Sequence, residues 1–278
     1  MAIANPTPQE EDELESSKAP LLDHLIELRT RIVRSVIAFL LCFIVCFAFA
    51  RPIFQFLTQP LSDALAGHAN REMIFTALYE QFFTYMKVGM FGAICLAFPY
   101  MAGQLWLFIA PGLYRHERKA ILPFLMATPI MFMVGAAFVY YLMLPRAIQF
   151  FLSYEIPNGP NQIGIQLMPR VGEYLSFVMT LIFAFGFCFE MPVLLTLLGR
   201  VGIVTSKGLA SVRRYAIVGV FVVAAIVTPP DVFSQMSLAV PLVGLYEISI
   251  FCVKLMEKQR AAEEAKSSAS GGGTVQPT

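Results

Sequence analysis

The sequence predicts an all-α membrane protein with six transmembrane helices. Of the 278 residues, 57% are hydrophobic and 14% are charged, which is too apolar for a soluble domain. The apolar residues gather into six runs, and the charged residues fall at the chain ends and in the loops between the runs. Lys and Arg are concentrated in alternate loops, as they are in polytopic membrane proteins.

The chain divides into two tails and a membrane domain. Residues 1–19 are rich in Glu and Pro and predict an acidic, flexible N-terminal tail. Residues 20–256 form the membrane domain, which opens with Pro20 in a helix first turn and a short amphipathic interfacial helix. Residues 257–278 are polar, end in a Gly-rich stretch and predict a flexible C-terminal tail.

Six apolar runs define the expected spans: residues 32–50, 82–107, 120–144, 174–198, 215–227 and 236–253. A bilayer core of about 30 Å needs about 20 helical residues, so the fifth run is short and predicts a thinned bilayer or a supporting partner. Prolines should bend or break several runs. We expect a break at Pro111-Gly112, a disturbed region around Pro192 and an interruption of the sixth run at Pro241 and Glu247.

The distribution of basic residues predicts the orientation. With six crossings, both termini lie on one side of the membrane. Fifteen of the 20 Lys and Arg residues fall on that side, four fall on the other, and Lys87 lies inside a run. The positive-inside rule therefore puts both termini in the cytoplasm.

The motifs of several enzyme classes are missing. The chain has no nucleotide-binding loop, zinc motif or nucleophile triad. Its five cysteines lie in apolar runs and form no Cys-x-x-Cys pair. We therefore expect no enzymatic activity, no cofactor, no metal site and no nucleic-acid partner.

Two carboxylates stand at the cytoplasmic starts of predicted helices. Glu117 follows Arg115 in the loop before the third run, and Glu27 lies just before the first run. Each has an ordinary interpretation, as a helix-start charge for Glu117 and as an i,i+4 partner of Arg31 for Glu27. The functional hypothesis is that both acids receive cations from outside the chain, and paired arginines suit carboxylates best.

Glu190 lies near the middle of the fourth run. A charge there costs roughly 2.5–3.5 kcal/mol even on the milder insertion scale, so the residue should be functional, protonated or paired. The alternative is a purely structural hydrogen bond to a neighbouring helix. Thr228, Asp231 and Gln235 cluster between the fifth and sixth runs, and for Asp231 a capped turn is the favoured interpretation.

Five stretches of the chain, taken together and in this order, are specific: His24-Leu-Ile-Glu-Leu-Arg29, Phe108-Ile-Ala-Pro-Gly-Leu-Tyr-Arg-His-Glu-Arg118, Tyr174-Leu-Ser-Phe-Val178, Phe189-Glu-Met-Pro192 and Thr228-Pro-Pro-Asp-Val-Phe-Ser-Gln235. They resemble the TatC family, the multi-spanning receptor subunit of the twin-arginine protein translocase. The resemblance covers all but the tails. It implies a cupped, concave array of six helices in the cytoplasmic membrane that binds twin-arginine signal peptides and drives transport with the proton-motive force.

The resemblance also implies roles for individual residues. Signal-peptide binding is expected at Glu27, Arg29, Phe108 and Glu117. Contact with partners, or a role in transport, is expected at Pro60, Glu190 and Gln235. The expected partners are the single-span subunits TatA and TatB, membrane lipid and further copies of the chain within the complex.

Two other functions fit part of the sequence. A proton-coupled small-solute transporter could use Glu190 as its proton site, but it would favour an internal repeat and a central polar pocket, and the sequence shows neither. A purely structural assembly subunit is the other alternative, and binding of a twin-arginine peptide would separate it from a receptor.

Overall fold

The computed structural model describes residues 8–66, 72–113, 118–156, 163–228 and 232–271, with side chains from residue 24 onward except for 109–122, 201, 233 and 263–271. Helices dominate this part of the chain: α1 (Pro8–Ala48), α2 (Ala50–Leu65), α3 (Glu80–Leu113), α4 (Arg118–Phe138), α5 (Leu144–Leu152), α6 (Val171–Cys188), α7 (Met191–Val201), α8 (Ser206–Ser211), α9 (Arg213–Val227) and α10 (Val232–Gly271). A π-helical turn, Val139–Met143, joins α4 to α5.

Five segments are long and apolar enough to cross a bilayer: His24–Ala48, Glu80–Phe108, Pro123–Leu152, Val171–Arg200 and Ser234–Ala262. They correspond to five of the six predicted runs. The remaining run is α9, which has 15 residues and extends about 22 Å at 1.5 Å per residue. The short fifth helix expected from the sequence is therefore present in the structure.

Several helix boundaries differ from those expected. Helix α1 already begins at Pro8, within the stretch predicted as a tail, and it continues without a separate interfacial helix. Glu and Gln are good helix formers, and carboxylates are favourable at a helix start. At the other terminus α10 passes through Pro241 and ends only at Gly271. Helix α3 includes Pro111-Gly112 and ends at Leu113, one residue beyond the predicted break.

The fourth run is interrupted at Glu190. Helix α6 ends at Cys188 and α7 begins at Met191. Pro192 has no N–H, so the carbonyl of Cys188 loses its helical donor and the chain turns before continuing. The Glu190 N–H bonds to the Phe187 carbonyl at 3.1 Å. The run predicted over 174–198 is therefore two helices that meet at the disturbed region expected around Pro192, and Glu190 stands at their junction.

Helix α6 lies at the centre of the fold. In the segment Val171–Arg200, 56% of the most apolar stretch is buried within the protein, against 6% for the equivalent stretch of α1. Close packing against α4 depends on two glycines. A Cβ on Gly186 would lie 2.5 Å from the Phe132 ring, and one on Gly135 would lie 2.7 Å from the Phe185 carbonyl oxygen. Larger residues would push α4 and α6 apart.

A polar assembly that we call the cap closes one end of the bundle; it comprises α2, residues 72–79 and the first turns of α3 and α6. Ile74 forms an isolated parallel bridge with Arg170. The Glu80 carboxylate accepts hydrogen bonds from the backbone N–H groups of Thr76, Ala77 and Gly172, at 2.9, 3.3 and 3.3 Å. Glu80 thereby joins the start of α3 to the start of α6.

Candidate functional site

An open groove of about 820 Å³, which we call the groove, runs between α1, α3, α4 and the α6–α7 junction. Its walls are mostly apolar side chains, contributed by Leu28, Ile32, Val36, Phe39, Ile94, Phe98, Met101, Ala102, Leu105, Phe187 and Leu194. Its polar side chains lie on two walls, with Arg31, Ser35 and Gln104 on the α1–α3 side and Thr128 and Glu190 on the side of α4 and the α6–α7 junction. The groove therefore suits a long apolar guest with polar groups at defined positions.

Helices α1 and α3 position the polar side chains on their shared wall of the groove. Glu27 accepts hydrogen bonds from the Arg31 guanidinium, at 2.9 Å from Nε and 2.5 Å from Nη2. The Arg31 Nη1 also lies 3.4 Å from the Gln104 side-chain oxygen, across the α1–α3 contact. The i,i+4 pair proposed from the sequence is present, and because 34% of the Glu27 side chain is exposed, the carboxylate remains accessible.

An aromatic contact places Phe108 beside this pair. Its ring stacks on His24, with centroids 4.2 Å apart and planes 12° apart. His24 Nδ1 lies 3.9 Å from the second oxygen of Glu27. Phe108 and Glu27, which the resemblance assigned to one function, thus belong to one contact cluster. Arg29 is exposed and is not among the groove residues.

Glu190 lies on the groove wall formed by the α6–α7 junction. It is 6% exposed, and its nearest donors, the Thr128 hydroxyl and the Phe132 backbone N–H, do not form hydrogen bonds of normal geometry with either carboxylate oxygen. Burying an unpaired carboxylate is costly, so few positions keep one without a use. The sequence prediction of an unusual carboxylate within the membrane is consistent with this placement.

Thr128 and Trp106 form a buried pair beside Glu190. The Trp106 indole N–H donates to the Thr128 hydroxyl at 2.9 Å. The hydroxyl accepts that bond and keeps its own proton, and Thr128 lines the groove with Glu190. Sequence reasoning missed both roles, and it missed Gln104. The available signal was polarity, because Gln104 and Thr128 interrupt otherwise apolar runs.

Two further predicted residues, Gln235 and Pro60, lie away from the groove. The Gln235 side chain donates to the Phe221 carbonyl at 3.3 Å and so joins α10 to α9. Pro60 is buried in α2, within the cap. Glu117 and Asp231 lie outside the described residues, and the Trp106–Lys119 loop is described only in part.

Pro60 has a specific consequence for α2. Because proline lacks an N–H, the carbonyl of Phe56 has no helical donor. Tyr140, from the π-helical turn, donates its hydroxyl to that carbonyl at 2.8 Å and stacks on the Phe56 ring with centroids 4.3 Å apart. The Phe56 carbonyl that Pro60 leaves free is therefore the atom at which Tyr140 of the third span bonds to the cap.

No group of three metal-binding side chains occurs in the described ranges. All five cysteines are free thiols. The groove has apolar walls and the Glu190 carboxylate in its lining, and Glu27 lies next to it as the partner of the lining residue Arg31. These groups can bind and orient a guest.

Comparison with known proteins identifies similar chains. The family described as "Sec-independent protein translocase protein (TatC)" matches residues 23–241. The chain is 49% identical over 248 residues to a protein of that name from Magnetococcus marinus, covering 89% of each chain. It is 40% identical over 232 residues to the Escherichia coli protein of the same name, covering 84% of this chain and 87% of the other.

A solved structure has the same fold. The crystal structure of a twin-arginine translocase receptor, TatC, superposes with a TM-score of 0.73 at 40% sequence identity. The match covers 84% of this chain and 99% of the other. The all-helical membrane fold predicted from the sequence is confirmed.

Proposed function

Because this chain belongs to the TatC family of Sec-independent protein translocases, we propose that it is the receptor and core subunit of a twin-arginine export complex. It binds the signal peptides of folded proteins and exports those proteins across the cytoplasmic membrane, together with TatA and TatB and at the expense of the proton-motive force. A translocase family also argues against the small-solute transporter considered above.

The observation that carries this proposal is the match between the groove and a twin-arginine signal peptide. Such a peptide has consecutive arginines ahead of an apolar segment. The partly exposed Glu27 carboxylate adjoins the groove beside Arg31 and Phe108, at what we call the docking end, and the rest of the groove lining is mostly apolar. Guanidinium groups bind carboxylates through two parallel hydrogen bonds, which favours arginine over lysine.

Glu117 completes the docking end in this proposal. It lies four residues beyond the last residue of α3 and directly precedes Arg118, where α4 begins. Phe108, five residues before the end of α3, already contacts the Glu27 cluster through His24. One arginine of the guest would bind Glu117 and the other Glu27, with Arg29 exposed on the same helix as Glu27.

The wall that carries Glu190 serves a later step. Glu190 has unused acceptors in a largely apolar surrounding, so it suits a polar side chain brought by the apolar helix of TatA or TatB. Gln235 and Pro60 are proposed as further contact or transport positions at the α9–α10 junction and in the cap. Assembly of several copies of the chain belongs to the same proposal.

Photocrosslinking tests the receptor role. A twin-arginine peptide should crosslink to probes at positions along Trp106–Lys119 and at groove positions such as Leu105. The matched control peptide carries two lysines, which keep the charge but lose the planar fork, and it should crosslink weakly. Equal crosslinking of both peptides would contradict the assignment.

Cysteine labelling tests the orientation. On a cysteine-free background, single cysteines near Gly67 and Gly159 should react with an impermeant reagent in intact cells. A cysteine at Lys207 should react only after lysis. Labelling of position 207 from outside would reverse the proposed topology.

A further inference from the structure

We infer that a crevice between the third and last spans binds a phospholipid whose headgroup carries both a phosphate and a hydrogen-bond donor, as ethanolamine does. The crevice has a volume of about 360 Å³ and lies between the π-helical turn with α5 and the first turns of α10. Its lining is apolar apart from Arg146 and Ser237.

Arg146 supplies the positive charge of the crevice. Its side chain is exposed, and no hydrogen bond or ion pair joins its guanidinium to another residue in the described part of the chain. The crevice lining contains no carboxylate. An unpaired guanidinium beside apolar walls is complementary to a phosphate that is attached to a hydrocarbon chain.

Pro241 supplies the acceptor. It lies inside α10 and has no N–H, so the carbonyl of Ser237, four residues earlier, loses its helical donor. The Ser237 side chain lines the same crevice, and its hydroxyl can donate or accept. A headgroup N–H or O–H donor can satisfy the freed carbonyl while the phosphate binds Arg146.

The depth of both residues suits a headgroup. The spans Pro123–Leu152 and Ser234–Ala262 have 30 and 29 residues, whereas a bilayer core needs about 20. Each span therefore extends about five residues beyond the core at each end. Ser237 is three residues from one span end and lies outside the core, whereas Arg146 is six residues from the other and lies about one residue inside it. The long Arg146 side chain can still reach the headgroup level on the same side.

The apolar lining continues from this surface towards the bilayer centre. Phe138 and Leu142 precede Arg146 by two turns and one turn of helix, and Val240 follows Ser237 on α10. An acyl chain can lie against these side chains while its headgroup stays at Arg146. A protein helix in the same place would bury the Arg146 charge unless it brought its own carboxylate.

Native mass spectrometry of delipidated protein in detergent tests the inference, and it does not depend on the transport role. Phosphatidylethanolamine and phosphatidylcholine are added in turn, because they share the phosphate but the choline headgroup has no N–H. Wild-type protein should retain one phosphatidylethanolamine in preference to phosphatidylcholine. Arg146→Gln should weaken that binding by about tenfold, since a charge-assisted bond to phosphate is lost.

Arg51→Gln is the matched control. Arg51 is an exposed arginine at the start of α2 that does not line the crevice, so its loss should leave binding unchanged. Ser237→Ala, which keeps the freed carbonyl, should have a smaller effect than Arg146→Gln. Thermal melting of each variant confirms that the fold is intact.

Three results would overturn the inference. The first is unchanged lipid binding by folded Arg146→Gln protein. The second is an equal loss with Arg51→Gln, which would indicate non-specific attraction. The third is a photoprobe at Val240 that captures a protein helix instead of lipid in the native membrane.

Discussion

The groove and the cap differ in the hydrogen bonding of their buried polar groups. In the cap, Glu80 accepts three backbone hydrogen bonds, and the carbonyl that Pro60 exposes receives the Tyr140 hydroxyl. In the groove, Glu190 is nearly as buried as a core residue and has both oxygens unused by the described residues. Satisfied polar groups hold elements together, whereas an unsatisfied one is available to a guest. The groove should therefore control function and the cap should control stability.

Changing Glu190 should produce the largest functional effect. In Glu190→Ala, export of a folded reporter should fall by at least about tenfold, which corresponds to about 1.4 kcal/mol of lost partner binding. Glu190→Gln should keep part of the export because it still forms hydrogen bonds. Neither change should lower the melting temperature, because each removes a buried carboxylate that has no partner in the described structure.

Thr196→Val is the matched control for Glu190. Thr196 is also buried and polar, but its hydroxyl bonds to the Pro192 carbonyl and it does not line the groove. Export by this variant should be close to that of the wild type. Normal export by Glu190→Ala would contradict a role for Glu190 in transport. Loss of peptide crosslinking together with export would contradict the proposal that Glu190 acts after the peptide has docked.

Changing Glu80 should produce the largest effect on stability. Glu80→Ala leaves three backbone N–H groups without their carboxylate and releases the start of α6 from the start of α3. The melting temperature of the detergent-solubilised protein should fall, while peptide crosslinking at the groove persists below the transition. Glu173→Ala is the control, since its ion pair with Arg170 is exposed and should matter little. Loss of crosslinking in a folded Glu80→Ala protein would contradict the claim that the cap controls stability and the groove controls function.

The sequence predicts those features that depend on composition and short-range spacing. Apolar runs fix the spans, and the short α9 is visible as a short run. The pair of Glu27 with Arg31 follows from i,i+4 spacing on one helix. Contacts between helices are not encoded in this way. The Trp106–Thr128 bond and the Tyr140–Phe56 contact join residues 22 and 84 positions apart, and they depend on how the helices cross.

Proline positions show the same limit within single helices. Pro192 coincides with a real break, whereas Pro111 and Pro241 lie inside continuous helices. A proline removes one donor wherever it stands, but packing by neighbouring helices decides whether the chain changes direction. The sequence therefore identifies the carbonyl that each proline frees, but it does not predict whether the helix bends or ends there.

Tyr140 and Pro60 provide a double-mutant test within the cap. Tyr140→Phe should lower the free energy of unfolding by about 0.5–1.5 kcal/mol, the usual net contribution of a hydrogen bond. Pro60→Ala restores an N–H that can bond to the Phe56 carbonyl, so Tyr140→Phe should cost less in that background. Additive effects on unfolding equilibria in mixed micelles would show that the two residues are not coupled through this carbonyl.

The smallest expected effect is the one at Glu27, and it is measured against the larger effect at Glu117, the other proposed docking acid. Glu117→Gln should strongly reduce crosslinking of a twin-arginine peptide, because bidentate charge pairing is lost. Glu27→Gln should reduce it by only a few fold, since Glu27 already shares its carboxylate with Arg31, a pair worth a few tenths of a kcal/mol. Arg31→Gln provides the internal check. It frees Glu27 while keeping a polar side chain near Gln104, so crosslinking should stay at or above the wild-type level if Glu27 receives a guest arginine. A loss in Arg31→Gln equal to that in Glu27→Gln would mean that the intact ion pair, and not the carboxylate alone, shapes this end of the groove.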